Sequence, residues 1–132
     1  MRALIGTTAL GTSNVKLYSD STTGSGCFST SFSGGDLPYI TVGLDHYQWW
    51  SCLAILHHEV NEFVLMCLNR RYQCAEEMAN SKAAYTFIMT HEEFAEMCAQ
   101  SAYFISRMYA PLYKAWKSRN DKPKAKAKAK KG

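Results

Sequence analysis

The sequence predicts an α+β domain in which a small N-terminal antiparallel sheet packs on two long helices and a shorter one, followed by a disordered basic tail. Residues 1–44 are rich in Ser, Thr and Gly, and their apolar side chains alternate with a period of two, which is typical of strands. From Asp45 onward the apolar residues recur at helical spacing. The 132 residues, 47% of them hydrophobic, are enough to bury one core. We therefore expect a single domain over residues 1–119 and a tail over residues 120–132.

Three short strands are expected in the first third of the chain, because apolar side chains occupy every second position there. The alternating positions are Val15 and Leu17 in the first strand, Phe28, Thr30 and Phe32 in the second, and Ile40, Val42 and Leu44 in the third. The turn sequence Gly34-Gly35-Asp36 predicts a hairpin between the last two strands. A sheet this small needs helices to cover its apolar face.

A long central helix is predicted from Asp45, which forms a capping box with Gln48, to about Arg70. Its apolar stripe is broad enough to place the helix at the centre of the core. The stripe consists of Trp49, Leu53, Leu56, Val60, Phe63, Val64 and Cys67. His57 is also expected to face the core.

The second half of the chain is expected to hold two further helices. Residues 72–89 begin with polar side chains and continue as a short helix, or a helix plus a turn, over residues 79–89. Thr90 and Glu93 form a capping box that opens the last helix, which Pro111 should kink or end. The apolar stripe of this last helix comprises Phe94, Met97, Cys98, Ala102, Ile105 and Met108.

Cysteine usage and hydropathy indicate a cytoplasmic protein. The five cysteines form an odd set without a C-x-x-C pair, which favours buried free thiols in a reducing compartment over a disulfide scaffold. The apolar run over residues 3–5 is too short for a signal peptide. No stretch reaches the ~18 apolar residues that a membrane span requires, so no membrane partner is expected.

The net charge of +4 comes from the tail. Residues 120–132 hold six lysines and one aspartate, which leaves nine basic and ten acidic residues in the rest of the chain. Such a tail can contact phosphate groups non-specifically, and a weak nucleic-acid contact of that kind is the most that we expect. The aromatic content of 13% is high for so small a body and indicates a homodimer or a partner surface.

The segment His58-Glu59-Val60-Asn61-Glu62 combines residue types that bind metals and move protons. His58 and Glu62 are four residues apart on the predicted central helix, so their side chains can hold a single ion. Glu59 lies one step round the helix, where it can act as the general base toward a water on the metal. Zinc would lower the pKa of that water to ~7. Two histidines and one carboxylate would also suit another divalent metal, such as ferrous iron or manganese.

A third ligand is required, and His91 is the best candidate. It lies in the first turn of the last helix, on the side that is expected to face the core. Glu92 and Glu96 are the alternatives. We therefore predict a metal site formed by His58, Glu62 and His91, with Glu59 as the catalytic residue.

The motif H-E-x-x-E on an apolar helix, preceded by the strand 38–43, resembles a reduced zincin-type metallopeptidase domain. In that family a H-E-x-x-H helix supplies two ligands and the general base, and an edge strand beside the cleft holds the substrate backbone. The resemblance covers about residues 36–96, and Glu62 stands where the family has its second histidine. It implies a zinc-dependent hydrolase that aligns a peptide or protein substrate along residues 39–44. Small proteins with such motifs are frequent in bacteriophage genomes, which would place this one in the cytoplasm of a bacterial host.

Two other interpretations stay open. In the first, His58 and Glu62 form only a hydrogen bond on the helix surface, and Glu59 is solvated. In the second, the protein is a non-enzymatic phage interaction protein that acts through a helical dimer or a partner surface. A chelator would then change neither stability nor binding, whereas it would disable a metal-dependent hydrolase.

Overall fold

The computed structural model describes residues 1–31, 35–73 and 85–121. The elements in these ranges are β1 (Arg2–Leu10), β2 (Ser13–Asp20), β3 (Gly26–Ser29), β4 (Tyr39–Gly43), α1 (Trp49–Cys67), β5 (Arg71–Gln73), β6 (Tyr85–Phe87) and α2 (His91–Asn120). The predicted α+β class with an N-terminal sheet is confirmed. Residues 122–132 lie outside the described ranges, so the disorder of the tail stays a prediction.

The main sheet has four strands in the order β1-β2-β4-β3. The pairs β1–β2 and β3–β4 are antiparallel, whereas β2 and β4 run parallel. The expected N-terminal sheet of about three strands is present with one further strand, β1, but the expectation that it is wholly antiparallel is wrong for the pair β2–β4. A parallel pair needs a long connection between its strands, and here that connection contains β3.

The alternation of apolar residues did not predict β1, for a physical reason. The strand is composed mostly of small and polar residues, and Leu10 is its one buried residue. A register shift between Leu4 and Gly6 interrupts the pairing with β2. Because such a bulge changes the face that the following side chains occupy, no period of two runs through the strand.

Both helices contribute to one core on one face of the sheet. In β2 the side chains of Val15 and Leu17 are buried, while the alternating residues Lys16 and Tyr18 lie on the other face and are half-buried. The predicted inward face of the third expected strand is confirmed. Its buried residues are Ile40, Val42 and Leu44. The largest fully buried side chains of the helices are Leu56, Phe63, Phe104 and Leu112.

The first helix, α1, is shorter at both ends than expected. Its N-cap is Gln48, which makes no side-chain capping bond, so the predicted capping box with Asp45 is wrong. Asp45 instead forms an ion pair with Arg119 of α2. At the other end the helix stops at Cys67, and Asn69 adopts a φ of 56°, a left-handed conformation that often follows a helix.

Much of the predicted stripe of α1 is confirmed. Its buried members are Leu56, Val60, Phe63 and Val64. Cys67 and His57 are exposed, so the expectation that they face the core is wrong. Cys67 is the last residue of a helix that ends sooner than predicted.

The second helix, α2, begins as predicted. The Thr90 hydroxyl accepts a hydrogen bond from the Glu93 N–H, and the Glu93 carboxylate accepts one from the Thr90 N–H. Its buried face is rotated relative to the predicted stripe. Buried are Met97, Ser101, Phe104, Ile105, Met108 and Leu112, while Phe94, Cys98 and Ala102 are exposed. Pro111 does not end the helix; it lies on the exposed side, where water can satisfy the carbonyl that loses its partner.

The helix expected over residues 79–89 is wrong for residues 85–87, which form β6 and pair antiparallel with β5. Residues 79–84 lie outside the described ranges. The aromatic residues Tyr85 and Phe87 are separated by the polar Thr86, and this alternation of aromatic and polar side chains favours a strand.

The cysteine prediction is confirmed only in part. The four cysteines of the described ranges are free thiols, but of these only Cys52 is buried. Burial raises the pKa of the Cys52 thiol to about 11, which makes it unreactive. Cys74 lies outside the described residues. Neither helix in the described ranges is long and apolar enough to cross a membrane.

Candidate functional site

A groove of about 330 Å³ lies between β3 and the second half of α1. Its lining includes Cys27, Phe28, Ser29, Thr30, Glu59 and Arg71. In the described sheet β3 pairs only with β4, so one row of its backbone N–H and C=O groups has no strand partner. The groove therefore combines a free strand edge with side chains of the H-E-x-x-E helix.

The carboxylate of Glu59 is buried at this groove. Its side chain is only 9% exposed, and no described residue donates a hydrogen bond to it. Burial raises the pKa of Glu59, the nearby Glu62 raises it further, and His58 opposes the shift. Removing most of a carboxylate from water disfavours its charged form, and carboxylates with raised pKa values are more frequent at functional sites than elsewhere. The interpretation in which Glu59 is solvated is therefore wrong.

Gly26 allows β3 to approach Glu59 closely. A Cβ atom on Gly26 would lie 2.6 Å from Cγ of Glu59 and 2.7 Å from Cγ2 of Ile55. Both distances are too short for carbon atoms that are not bonded, so any larger residue would have to displace these side chains. The missing side chain thus sets the width of the groove at Glu59.

His58 and Glu62 lie side by side, as their spacing predicted. Nε2 of His58 is 3.2 Å from Oε2 of Glu62 and 3.9 Å from Oε1 of Glu59. His58 is 68% exposed, so its imidazole is open to solvent. The structure therefore brings the three motif side chains together, and of the three Glu59 lines the groove.

Arg71 is a site residue that the sequence did not indicate. It donates a hydrogen bond from Nη1 to Oε1 of Glu62 at 2.9 Å. Its guanidinium lies 4.1 Å from the ring centroid of Tyr85 and 5.5 Å from that of Phe28. Arg71 follows the end of α1, so no helical spacing could have linked it to Glu62. It holds Glu62 in place and gives the groove a fixed positive charge.

The donor atoms of His58 and Glu62 fit a divalent metal in part. Their separation of 3.2 Å is close to the edge of a zinc tetrahedron, which is about 3.3 Å for bonds of 2.0–2.1 Å. However, no three His, Cys, Asp or Glu residues in the described ranges form a group that could hold a metal ion. The geometry supplies two ligands, and Arg71 competes for one of them.

The structure does not bring His91 into a ligand group with His58 and Glu62. His91 is the first residue of α2 and is exposed, so the expectation that its side of the helix faces the core is wrong. The alternatives Glu92 and Glu96 are also exposed. The role of His91 as a third ligand stays a prediction.

The strand expected to align a substrate is not available for that purpose. In the described sheet β4 lies between β2 and β3, so its backbone groups are already paired on both sides. The prediction that residues 39–44 hold the substrate is therefore wrong. The strand with a free edge beside Glu59 is β3.

No family model matches this chain, and no curated protein or solved structure is significantly similar to it.

Proposed function

We propose that the groove between β3 and α1 is a hydrolytic site for peptide bonds, in which Glu59 is the general base. The observation that carries this proposal is the buried carboxylate of Glu59, which opens onto the groove and has a raised pKa because of its burial. A carboxylate with a raised pKa is a stronger base, and general-base catalysis by such a group typically contributes about 10²–10⁴-fold.

The free edge of β3 supports a peptide as the substrate. An extended peptide can add to an exposed strand edge through backbone hydrogen bonds. β3 and the residues that follow it line the groove together with Glu59. A peptide bound along this edge would pass the carboxylate, which could then take a proton from the attacking water.

The His58–Glu62 pair is the proposed binding position for zinc or another divalent metal. A metal bound there would supply Lewis acidity, which lowers the pKa of water and stabilises developing negative charge. His58 and Glu62 would each provide one donor atom, and Arg71 would keep Glu62 oriented. The third ligand is proposed to be His91, which would have to approach His58 and Glu62 when a metal binds.

The deciding experiment joins zinc titration with a peptidase assay. The wild type should hold one equivalent of zinc, measured by elemental analysis after removal of free metal. His58→Ala should lose the zinc, while the matched control His57→Ala, which changes the neighbouring exposed histidine, should keep it. Glu59→Gln should keep the zinc yet cleave casein or fluorogenic peptides at least about 100-fold more slowly.

Two results would contradict the proposal. A wild type that retains no stoichiometric metal, and melts at the same temperature with and without chelator, would exclude the metal site. Equal cleavage rates for wild type and Glu59→Gln would exclude Glu59 as the base.

The second candidate function is a non-enzymatic interaction protein, and an aromatic surface favours it. Trp49 lies 5.3 Å from Tyr109 and 5.2 Å from Tyr113 between ring centroids, and both tyrosines are partly exposed. Trp50 on the same helix is 66% exposed. Such rings are enriched at protein interfaces. Sedimentation of the wild type and of Trp50→Ala, with and without chelator, would test this function. A homodimer that is weakened by Trp50→Ala but is unaffected by chelator would support it.

A further inference from the structure

The open face of the sheet, opposite the helices, carries a polar cavity of about 170 Å³. Strand pairing places its main residues next to each other, because Tyr39 of β4 lies opposite Lys16 of β2 and Ser29 of β3. The lining includes Arg2, Lys16, Tyr18, Ser29, Ser31, Asp36 and Tyr39. Two cations, one carboxylate and several hydroxyl groups thus meet on the face opposite the two described helices.

Arg2 lies against two tyrosine rings at the cavity. Its guanidinium carbon lies 3.8 Å from the ring centroid of Tyr18 and 4.2 Å from that of Tyr39. Stacking on an aromatic ring fixes a guanidinium without using its N–H donors. No residue in the described ranges accepts a hydrogen bond from the Arg2 side chain. Among the described residues, nothing uses these donors, so they can serve a ligand.

The other polar groups of the cavity are also available. Nζ of Lys16 lies 3.9 Å from Oδ1 of Asp36, at the outer limit of an ion pair, and Asp36 is 84% exposed. An exposed pair of this kind contributes little and is readily exchanged. Oγ of Ser29 accepts a hydrogen bond from the N–H of Ser31 at 3.3 Å, which leaves the Ser29 hydroxyl proton free to be donated.

We propose that this cavity binds a phosphate group, either as inorganic phosphate or as part of a phosphate monoester. The guanidinium, the ammonium and the two serine hydroxyls offer more donors than the two oxygens of a carboxylate can use. They match the three terminal oxygens and the charge of about −2 of a phosphate monoester. Ser29 and Ser31 also line the groove of Glu59, but the phosphate site does not depend on hydrolysis there.

Titration of the isotopically labelled protein with inorganic phosphate at constant ionic strength tests the proposal by NMR. Saturable amide shifts are expected around Lys16, Ser29 and Tyr39. Lys16→Gln and Arg2→Gln should each weaken binding at least about tenfold, which corresponds to ~1.4 kcal/mol, since each removes a charged hydrogen-bond donor. The matched control Lys117→Gln, which changes an exposed lysine of α2, should leave the affinity unchanged.

Asp36→Asn provides a second variant at an exposed side chain, where a substitution is expected to leave folding intact. It should tighten binding, since it removes the negative charge that competes for Lys16. Titrations with phosphoserine and with a nucleoside monophosphate distinguish the sources of the phosphate. Equal affinity for the two indicates that the phosphate group alone is recognised. Tighter binding of the nucleotide indicates that its base contacts the tyrosine rings. Shifts confined to residues 122–132, acetate binding as tight as phosphate, or unchanged affinity in Lys16→Gln would overturn the proposal.

Discussion

The burial of Glu59 has opposite effects on stability and on chemistry. Moving a carboxylate out of water disfavours its charged form, and at Glu59 no hydrogen bond from a described residue offsets that cost. The same burial makes the carboxylate a stronger base. A buried side chain that lowers the stability of the fold in this way is characteristic of functional sites.

Glu59→Gln should therefore raise the melting temperature near neutral pH. Because the pKa of Glu59 is raised in the folded state, folding takes up protons, and the wild type loses stability as the pH rises from the ordinary glutamate value of 4.5 through the raised pKa. The advantage of Glu59→Gln should be full above that window and vanish below it. Thermal melts of both proteins between about pH 4 and pH 8 measure this. A difference that does not change with pH would contradict the raised pKa.

Gly26→Ala should both destabilise the protein and disturb Glu59. The added Cβ would meet the Glu59 side chain at 2.6 Å, and overpacking of this kind typically costs ~1–3 kcal/mol. The matched control is Gly6→Ala, whose Cβ would meet only the flexible end of Met108 at 3.3 Å. Urea unfolding measures the free energy of unfolding of both variants. An equal decrease in the two would show that the close approach of β3 to α1 at Gly26 does not cause the destabilisation.

At the scale of elements, the two helices differ in how their ends are defined. α2 has a reciprocal capping box at Thr90 and Glu93, whereas α1 begins at Gln48 without a side-chain cap. The helices are joined in the core by a hydrogen bond of 2.6 Å from the Ser101 hydroxyl to the Asn61 side chain. The stability of α1 therefore depends on the burial of its apolar face, whereas the N-terminus of α2 is also stabilised by its own capping box.

Thr90→Ala should lower the free energy of unfolding by ~1 kcal/mol, because it removes the acceptor for the Glu93 N–H. Ser118→Ala, at an exposed position of the same helix, should change it by less than ~0.5 kcal/mol. Urea titrations followed by circular dichroism measure both values. If the two variants unfold at the same urea concentration, the capping box does not contribute.

Local patterns predicted the elements to different degrees, and the differences have physical causes. The Thr90 capping box and the inward orientation of Ile40 and Val42 depend only on residues close together in the chain, so local sequence patterns could predict them. The bulge in β1, the parallel pairing of β2 with β4 and the bond from Arg71 to Glu62 depend on residues far apart in the chain. The buried state of Glu59 is of the second kind, because it requires β3 to lie against α1. A motif could nominate Glu59, but only the fold places it in a groove.

At the scale of the whole molecule, one core joins the sheet to both helices. Phe104 and Leu112 of α2 are completely buried together with Leu56 and Phe63 of α1. Because these side chains share one cluster with β2 and β4, the sheet and the helices should unfold together in a single transition.

Phe104→Ala should cost ~3–5 kcal/mol, a large part of the stability of a domain of this size. Phe94→Ala on the same helix, at a side chain that is 49% exposed, should cost much less. If Phe104→Ala fails to fold, the smaller change Phe104→Leu keeps the comparison measurable. Coincident urea transitions by fluorescence and circular dichroism are expected, and two separate transitions would contradict a single core.

The contacts of α2 have a consequence for how the chain is synthesised. α2 packs against β1, the first strand, and Arg119 donates a hydrogen bond to the carbonyl of Ser21, 98 residues earlier. Contacts between such distant segments are slow to form, because loop-closure entropy must be overcome first. On the ribosome, the part of the apolar face that α2 covers, at β1 and β2, would stay uncovered until Leu112 had emerged. A chain stalled before that point would expose this face and depend on a chaperone to avoid aggregation.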